Sequence, residues 1–396
     1  MIAPEPFFEP RGTPFSEFHR IRALTALGHE VDLVTYPFGQ TVAMPGLRIF
    51  RSLKPPFLRG VKIGPSFAKL PLDALLACTA LRRALSSRYD AVHSHEEAGF
   101  IGVLLAAWLH VPHLYDMHSS LPQQLSNFAF SRSTVIARIF LALERFIIKR
   151  SRVVIVICPS LEDTVRGVDP TAHVVLIENA PGSADAPATA AQAASVRHAL
   201  AVGEAPIVLY TGTFEAYQGL DLLFEAMAIV SRARPDARLV LAGGKPDQVA
   251  QARAQARMIG VDAVTVFAGE RPAAEIPSYL LAADLLVSPR SRGTNTPLKI
   301  YQYLRSGKAI VATRLLTHTQ VLSDQTAILT AATAEEFAAG ILTGLNEPAH
   351  AAAIGRRAQE LADTKYSYEA YLERTRHACA ALLPTLQPGA VVKDLA

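Results

Sequence analysis

The stretch Ala282–Thr313, AADLLVSPRSRGTNTPLKIYQYLRSGKAIVAT, decides the fold of this chain. Its apolar run Leu285–Val287 ends abruptly at Ser288-Pro289, and a polar loop follows. Pro297 then opens a helix that closes at Gly307, before a second apolar strand. Strand, loop, helix and strand in so few residues indicate a βαβ unit, whose crossover we expect to be right-handed.

The start of this helix predicts an anion site. In open parallel sheets, ligands lie where the carboxyl ends of strands meet the amino ends of helices. A helix start offers free N–H groups and partial positive charge to an anion. Polar and basic side chains cluster at this position: Arg290, Arg292, Thr294, Asn295, Thr296 and Lys299. We therefore expect phosphate to bind here.

Similar alternation of short apolar runs and amphipathic segments along the chain predicts an α/β protein with two doubly wound, Rossmann-like domains. A length of 396 residues is too great for one ordinary core. An Ala-rich, almost uncharged stretch near Asp185–Ala194 is typical of a linker. The predicted division is 1–185 for the first domain, 186–202 for the linker, 203–365 for the second domain and 366–396 for a terminal helix and tail.

Composition narrows the class of protein. Half of the residues are hydrophobic and 19% are charged, which indicates a globular chain. No apolar run is long enough to cross a bilayer, and three isolated cysteines suggest neither disulfides nor a Cys-rich metal site. We expect a cytoplasmic protein without a nucleic-acid partner. Only Met1-Ile2-Ala3 precede Pro4, which is short for a central strand, so we expect the natural chain to begin upstream.

Further motifs carry a family resemblance. They occur in a fixed order along nearly the whole chain: Pro10–Thr13, Tyr115–His118, Ile177–Pro181, Tyr210–Phe214 with Gln218-Gly219, Leu241–Gly244, and the loop and helix quoted above. Together they resemble the family 4 glycosyltransferases, which are retaining enzymes of the GT-B fold. The resemblance implies two Rossmann-like domains that face a cleft, and transfer of a sugar from a nucleoside-diphosphate donor to a glycan, polysaccharide or lipid-linked acceptor. Such acceptors are typical of cell-envelope glycan synthesis.

The resemblance also implies roles for individual residues. Lys299 and Arg290 would neutralise the diphosphate leaving group without a bound metal or other cofactor, since no Asp-x-Asp motif is present. His118 would act beside the transferred sugar. The remaining donor-binding positions are Gly12, Thr13, Gly212, Thr213, Gln218, Gly244, Arg271, Thr294, Asn295, Thr296, Pro297 and Gln302.

Two departures from the family pattern concern the donor site. The family usually has a Glu-x7-Glu pattern, and the matching positions here are Thr294 and Gln302. Relatives also place an Arg and a Lys in the loop at Gly212–Gln218, where Thr213 or Phe214 and Gln218 stand here. These changes shift the cationic role onto Lys299 and Arg290 and leave open a non-catalytic, GT-B-like nucleotide-sugar-binding subunit.

Two other interpretations are weighed from the residues. An NAD-linked oxidoreductase predicts a Gly-x-Gly-x-x-Gly after the first strand, which is not seen. The His-x-His of His93 and His95, beside Glu96 and Glu97, is compatible with a metal site. We favour a different interpretation of this motif over a metal site, because it lies at a strand end of the kind that lines the cleft in GT-B proteins.

The basic residues between Arg48 and Arg83 predict an anionic partner. Eight basic side chains occur there and only Asp73 opposes them. Apolar residues are interleaved with them, and the helix predicted at Ser133–Arg150 adds four more cations. This mixture is typical of a surface that touches anionic lipid headgroups. We expect peripheral attachment to a membrane through residues 48–83.

Overall fold

The computed structural model describes residues 1–8, 12–56, 58, 60, 69–122, 133–178 and 188–383. The chain divides into two compact units. The first comprises Met1–Glu178 with Tyr371–Ala396, and the second comprises Asn179–Ala370. The second unit thus begins earlier along the chain than the domain predicted at 203–365.

The first unit alternates strands and helices. Its strands are β1 (Ile2–Ala3), β2 (Val31–Thr35), β3 (Leu47–Arg51), β4 (Val92–His95), β5 (His113–Met117), β6 (Val153–Val156) and β7 (Val174–Leu176). Its helices before the second unit are α1 (Gly12–Ala26), α2 (Lys69–Ser86), α3 (Gly99–Leu109), α4 (Thr134–Arg150) and α5 (Pro159–Val168).

These strands form one parallel sheet in the order β3-β2-β1-β4-β5-β6-β7. β1 lies in the interior of the sheet, β2 and β3 follow on one side of it, and β4 to β7 follow on the other side. The strand order therefore reverses between β1 and β4, and the carboxyl ends of these strands flank the usual ligand position of such a sheet.

The second unit repeats this plan. Its strands are β8 (Ile207–Thr211), β9 (Arg238–Ala242), β10 (Thr265–Gly269), β11 (Leu285–Ser288), β12 (Ala309–Thr313) and β13 (Ile328–Thr330). Its helices are α6 (Ala190–Ala199), α7 (Leu220–Ala233), α8 (Pro246–Ile259), α9 (Ile276–Ala282), α10 (Leu298–Arg305), α11 (Leu316–Thr319), α12 (Ala334–Asn346) and α13 (Pro348–Lys365). A last helix, α14, spans Tyr368–Ala380.

The second sheet is also parallel, in the order β10-β9-β8-β11-β12-β13. Its reversal lies between β8 and β11. Both of these strands are buried along their whole length, because helices cover the two faces of the sheet. The predicted βαβ unit is β11-α10-β12, and the predicted α/β class with parallel sheets is confirmed. None of the described helices is long and apolar enough to cross a bilayer.

The linker predicted at 186–202 is partly helical. Residues 190–199 form α6, and residues 179–187 lie outside the described residues. Thr189 and Gln192 form a reciprocal capping box at its start, and Arg197 donates to the carbonyl oxygens of Ala282 (2.7 Å) and Ala205 (2.6 Å). Alanine has the highest helix propensity, so the Ala-rich composition that suggested a linker instead favours a capped helix.

Several cations of the basic region 48–83 are paired within the first unit. Arg48 and Arg83 both donate to Asp32, at 2.6 and 3.2 Å, and Lys69 pairs with Glu97. Arg51 donates to backbone carbonyl oxygens, including that of Gln40 (2.8 Å). Part of the region forms β3, a strand that the sequence analysis does not predict, and residues 57, 59 and 61–68 lie outside the described residues.

Candidate active site

Two loops flank the reversal point of the second sheet, one after β8 and one after β11. The backbone N–H of Ser291 donates to the carbonyl oxygen of Tyr217 (3.1 Å), which ties the loops together. Gly219 has a φ of 74°, and a Cβ there would lie 2.0 Å from the carbonyl oxygen of Pro289. Only glycine fits this contact. The two loops therefore form one continuous surface at the carboxyl ends of β8 and β11, called the loop edge below.

Lys299 lies in the first turn of α10 and is aimed at the loop edge. Its side chain is buried, and its Nζ lies 3.7 Å from the centroid of the Tyr210 ring. Nζ has no hydrogen-bond partner among the described residues. A Cβ on Gly212 would lie 3.5 Å from Nζ, so the ammonium lies directly beside the loop that follows β8. Burial, and then the nearby Arg290 guanidinium, lower the pKa of Lys299 well below its usual range.

Arg290 is built into the loop after β11. Its Nε donates to the carbonyl oxygen of Arg292 (2.9 Å), and its Nη1 donates to those of Asn295 (3.0 Å) and to the Thr317 hydroxyl (3.2 Å). The guanidinium also lies 5.0 Å from the Tyr217 ring centroid. Arg290 thus shapes the loop while it holds a second positive charge near Lys299.

Two more buried polar atoms at the loop edge have no partner among the described residues: Thr296 Oγ1 and Gln218 Oε1. A buried polar group that makes no hydrogen bond costs free energy, so such atoms mark positions that a ligand can complete. Between Leu285 and Lys308 the chain contains no acidic residue. The loop after β11 and the start of α10 therefore offer positive charge and hydrogen-bonding groups, as an anion requires.

The other predicted donor residues of this unit have structural contacts of their own. The carbonyl oxygens of Thr294 and Asn295 accept from Gln320 (2.6 Å) and Thr317 (2.7 Å), which fixes the loop ahead of Pro297. Pro297 is the N-cap of α10, and Gln302 lies half-buried one turn on.

Three predicted positions lie along the neighbouring strand ends. The Thr213 carbonyl oxygen accepts from the Tyr210 hydroxyl (2.7 Å). Gly244 has a φ of 76°, and a Cβ there would lie 2.5 Å from the Phe214 ring. Arg271 is exposed after the edge strand β10, its Nε donating to the carbonyl oxygen of Ala268 (2.9 Å), so it lies two strands from β8.

The first unit carries a buried cluster around Asp116, at the carboxyl ends of β4 and β5. Asp116 accepts from Arg20 Nε (2.8 Å), and His93 Nε2 and His118 Nε2 lie 3.4 and 3.2 Å from its oxygens. Burial alone would raise the pKa of Asp116, but Arg20 and His118 hold it well below its usual range. His95 Nδ1 lies 3.3 Å from His118 Nε2. This network fixes the His118 ring at the strand end where the sequence predicts it.

The same cluster is the one group of described residues whose arrangement could hold a metal ion. The ligand atoms of His93, His95 and Asp116 lie within 4.8 Å of one another. However, one oxygen of Asp116 already accepts from the Arg20 guanidinium, whose charge opposes a cation at this position. We therefore assign the cluster to positioning His118.

Gly12 and Thr13 begin α1 in the first unit, and Gly12 has a φ of 52°. Pro10 and Arg11 of the same predicted motif lie outside the described residues.

Two family models match the chain. One, described as glycosyl transferases group 1, covers residues 205–347, and the other, described as a glycosyl transferase 4-like domain, covers residues 19–180. The chain belongs to the family 4-like glycosyltransferases. This confirms the family predicted from the motifs. No curated protein matches the glycosyltransferase significantly in sequence.

Solved structures show the fold of this glycosyltransferase. Sucrose-phosphate synthase from Thermosynechococcus elongatus has a TM-score of 0.78 at 21% identity. Anabaena HepE, in complex with UDP and glucose, has a TM-score of 0.75 at 16% identity, and WaaG, involved in lipopolysaccharide biosynthesis, has 0.71 at 15%. Each comparison covers 96% of this chain and 98% of the other. At such identities the likeness shows the fold alone, and the predicted GT-B fold is confirmed.

The structure makes two further groups of the glycosyltransferase prominent: Arg20, which the sequence analysis does not name, and Glu96, which it names only in connection with a metal site. Arg20 is 1% exposed and pairs with Asp116, yet it stands in α1 without a motif that would single it out. Glu96 has a φ of 48° and accepts from Ser119 Oγ at 3.1 Å on both carboxylate oxygens. Burial first, and then Glu97, raise the pKa of Glu96 well above its usual range. Positive φ in a non-glycine residue is strained and clusters at functional sites.

Proposed function

We propose that this glycosyltransferase moves a sugar, with retention of configuration, from a nucleoside-diphosphate sugar to a glycan or lipid-linked acceptor. The observation that carries the proposal is the buried Lys299 ammonium, which has no hydrogen-bond partner among the described residues and lies beside a second cation. Two cations without a paired carboxylate are costly in a buried place unless an anionic ligand completes them.

The leaving nucleoside diphosphate gains negative charge as the glycosidic bond breaks. Lys299, Arg290 and the free N–H groups at the start of α10 provide preorganised positive potential for that charge. In this proposal the side chains replace a metal ion, so transfer proceeds without one. HepE was solved with UDP and with UDP-glucose, which makes UDP the first nucleotide to test here.

The roles proposed on the sugar and acceptor side belong to residues of the first unit. In the proposal His118, fixed by Asp116 and His95, contacts the transferred sugar, while Gly12 and Thr13 present backbone N–H groups to the diphosphate and the acceptor. Thr294 and Gln302 replace the carboxylates of the family pattern and contact sugar or ribose hydroxyls. No side chain is proposed as a nucleophile, so retention requires departure and attack on the same face.

Calorimetric titration with UDP tests the donor site directly. We expect binding that persists in EDTA and weakens strongly in Lys299→Met. Equal affinity in the variant, or loss of binding in EDTA, would contradict the proposed site or its independence of metal. A thermal-shift series over nucleotide sugars then identifies the donor, because ligand binding raises the apparent stability. The anomeric configuration of the product, followed by NMR, tests retention.

A non-catalytic nucleotide-sugar-binding subunit is the second candidate. The observation that favours it is the replacement of both family carboxylates by Thr294 and Gln302. Slow hydrolysis of the bound donor distinguishes the two, since an active transferase releases some free sugar. Donor binding without hydrolysis, at any acceptor concentration, would favour the subunit.

The proposed location is the cytoplasm, with reversible attachment to an anionic membrane that carries the acceptor. Only part of region 48–83 supports this, because Arg48, Arg83 and Lys69 pair with carboxylates inside the first unit. Exposed cations on α4 remain available to lipid headgroups.

A further inference from the structure

The outward side of α3 is entirely apolar. This helix, GFIGVLLAAWL, contains no charged residue. Phe100, Leu104 and Trp108 recur every four residues and are 40%, 50% and 50% exposed, so they form one stripe. The opposite side is buried against the sheet, through Gly102, Val103 and Ala106. Three large side chains in one exposed stripe are not explained by packing within the unit.

The stripe continues on the neighbouring helix α4. The Phe100 ring lies 5.8 Å from that of Phe146, which joins the two helices at this level. Val135 and Ile139 are 62% and 52% exposed. Val135, Ile139 and Phe146 follow one another at spacings of four and seven residues, so they share one face of the helix. We call the five exposed side chains, Phe100, Leu104, Trp108, Val135 and Ile139, the apolar ridge.

Positive charge borders the ridge. Arg138, Arg145, Lys149 and Arg150 on α4 are exposed. The only acidic residue of α4, Glu144, is 1% exposed and accepts from Ser120 Oγ (3.2 Å) and the Leu121 N–H (2.7 Å). Over α3 and α4 the exposed charge is therefore all of one sign.

We propose that the apolar ridge inserts into the interfacial region of an anionic membrane. An apolar face with Trp and Leu, bordered by Arg and Lys, is the pattern of surfaces that lie in the plane of a bilayer. A second copy of this chain is disfavoured as the occupant, since two such surfaces would bring like charges together. The inference deepens the proposed function by naming the surface that meets a lipid-linked acceptor, but its test does not depend on transfer.

Trp108 provides a specific probe, because it is the single tryptophan of the chain. We expect its fluorescence emission to shift to the blue when vesicles of phosphatidylcholine and phosphatidylglycerol are added at low salt. Brominated lipids should quench it. Vesicles of phosphatidylcholine alone should bind less, because they lack the anionic headgroups. Unchanged Trp108 emission with the anionic vesicles would overturn the proposal.

Two ridge variants and a matched control distinguish insertion of the ridge from non-specific adsorption to vesicles. Leu104→Glu and Ile139→Glu place a carboxylate on the ridge, and each should lower vesicle partitioning at least about tenfold. Met258→Glu, on α8 of the second unit, changes a side chain that is 81% exposed and should have no effect. Thermal melting checks that all three variants fold. Equal partitioning of the ridge variants and the control would refute insertion.

Self-association through the ridge is the alternative to membrane docking, and the same measurements detect it. A Trp108 emission that is already blue-shifted without lipid, depends on protein concentration and accompanies a dimer in sedimentation would overturn membrane docking in favour of self-association. UDP titration is run on the same proteins. Leu104→Glu should bind UDP normally, and Lys299→Met should bind vesicles normally, so failure of the ridge proposal and failure of the proposed donor site are distinguishable.

Discussion

Replacing Lys299 by methionine removes one charge and little else. The methionine side chain keeps an aliphatic stem against the Tyr210 ring, where Nζ lies 3.7 Å from the ring centroid. The free protein should therefore remain folded, and its melting temperature should not fall, because Nζ makes no hydrogen bond to the described residues. A hydrogen bond to a charged group contributes roughly 1.5–3 kcal/mol. We expect the dissociation constant for UDP to rise about 10- to 150-fold.

The assay is calorimetric titration with UDP, and the control is Lys308→Met. Lys308 is also partly buried, but it directly precedes β12. It therefore lies at the amino ends of the strands, on the side of the sheet opposite to the proposed site. Its replacement should leave UDP affinity unchanged. If Lys299→Met and the wild type bound UDP equally, the charge assignment at the reversal point of the second sheet would be refuted.

Three further predictions concern both units. His118→Ala should lower kcat about a hundredfold, the cost of one preorganised contact to the reacting group, with little change in donor affinity; poor donor binding with normal turnover at saturation would show the opposite role. Because burial holds the pKa of Lys299 well below its usual range and a diphosphate raises it, UDP binding should take up protons and weaken as pH rises between the two pKa values. Titrations in buffers of different ionisation enthalpy measure this, and a heat independent of buffer would contradict it. Asp116→Asn should destabilise the fold by about 3–5 kcal/mol, because Arg20 stays buried without its counter-charge. Asp324→Asn, from an exposed pair, should cost about 0–1 kcal/mol. The folded-state pKa of Asp116 is lowered, so its contribution is present above the unfolded pKa and lost as pH falls through the folded one. The difference in melting temperature should then shrink in acid, and a constant difference would count against this account.

The fold could be predicted because its signals are local. Leu285–Val287, the helix start at Pro297 and Gly307 follow one another within a single βαβ unit, and each is visible in a short window of sequence. The composition of residues 186–202 is a less specific signal. An Ala-rich segment is compatible with a linker or a helix, and the tie between Arg197 and the distant Ala282 carbonyl favours the helix.

The site was predictable where loops follow strands directly. Arg290 and Lys299 both follow β11, in the loop and the first turn of α10, so one short motif marks them both. Arg20 could not be found in this way. Its importance comes from Asp116, ninety-six positions later, and the pairing exists only once α1 packs beside β5. The ion pairs of Arg48 and Arg83 with Asp32 also join residues that are far apart in the sequence. A short window of sequence shows only the positive charges, and these suggested an external partner.

The contact between Gly219 and Pro289 limits how this enzyme can be altered. A side chain at 219 would meet the carbonyl oxygen of Pro289, so the loops after β8 and β11 cannot change shape separately. Exchange of one loop for that of a relative, as in redesign of donor choice, would place the new segment against an unmatched neighbour. Transplanting residues 212–219 together with 289–297 preserves the fit, and the pair is therefore the smallest unit of exchange for engineering specificity.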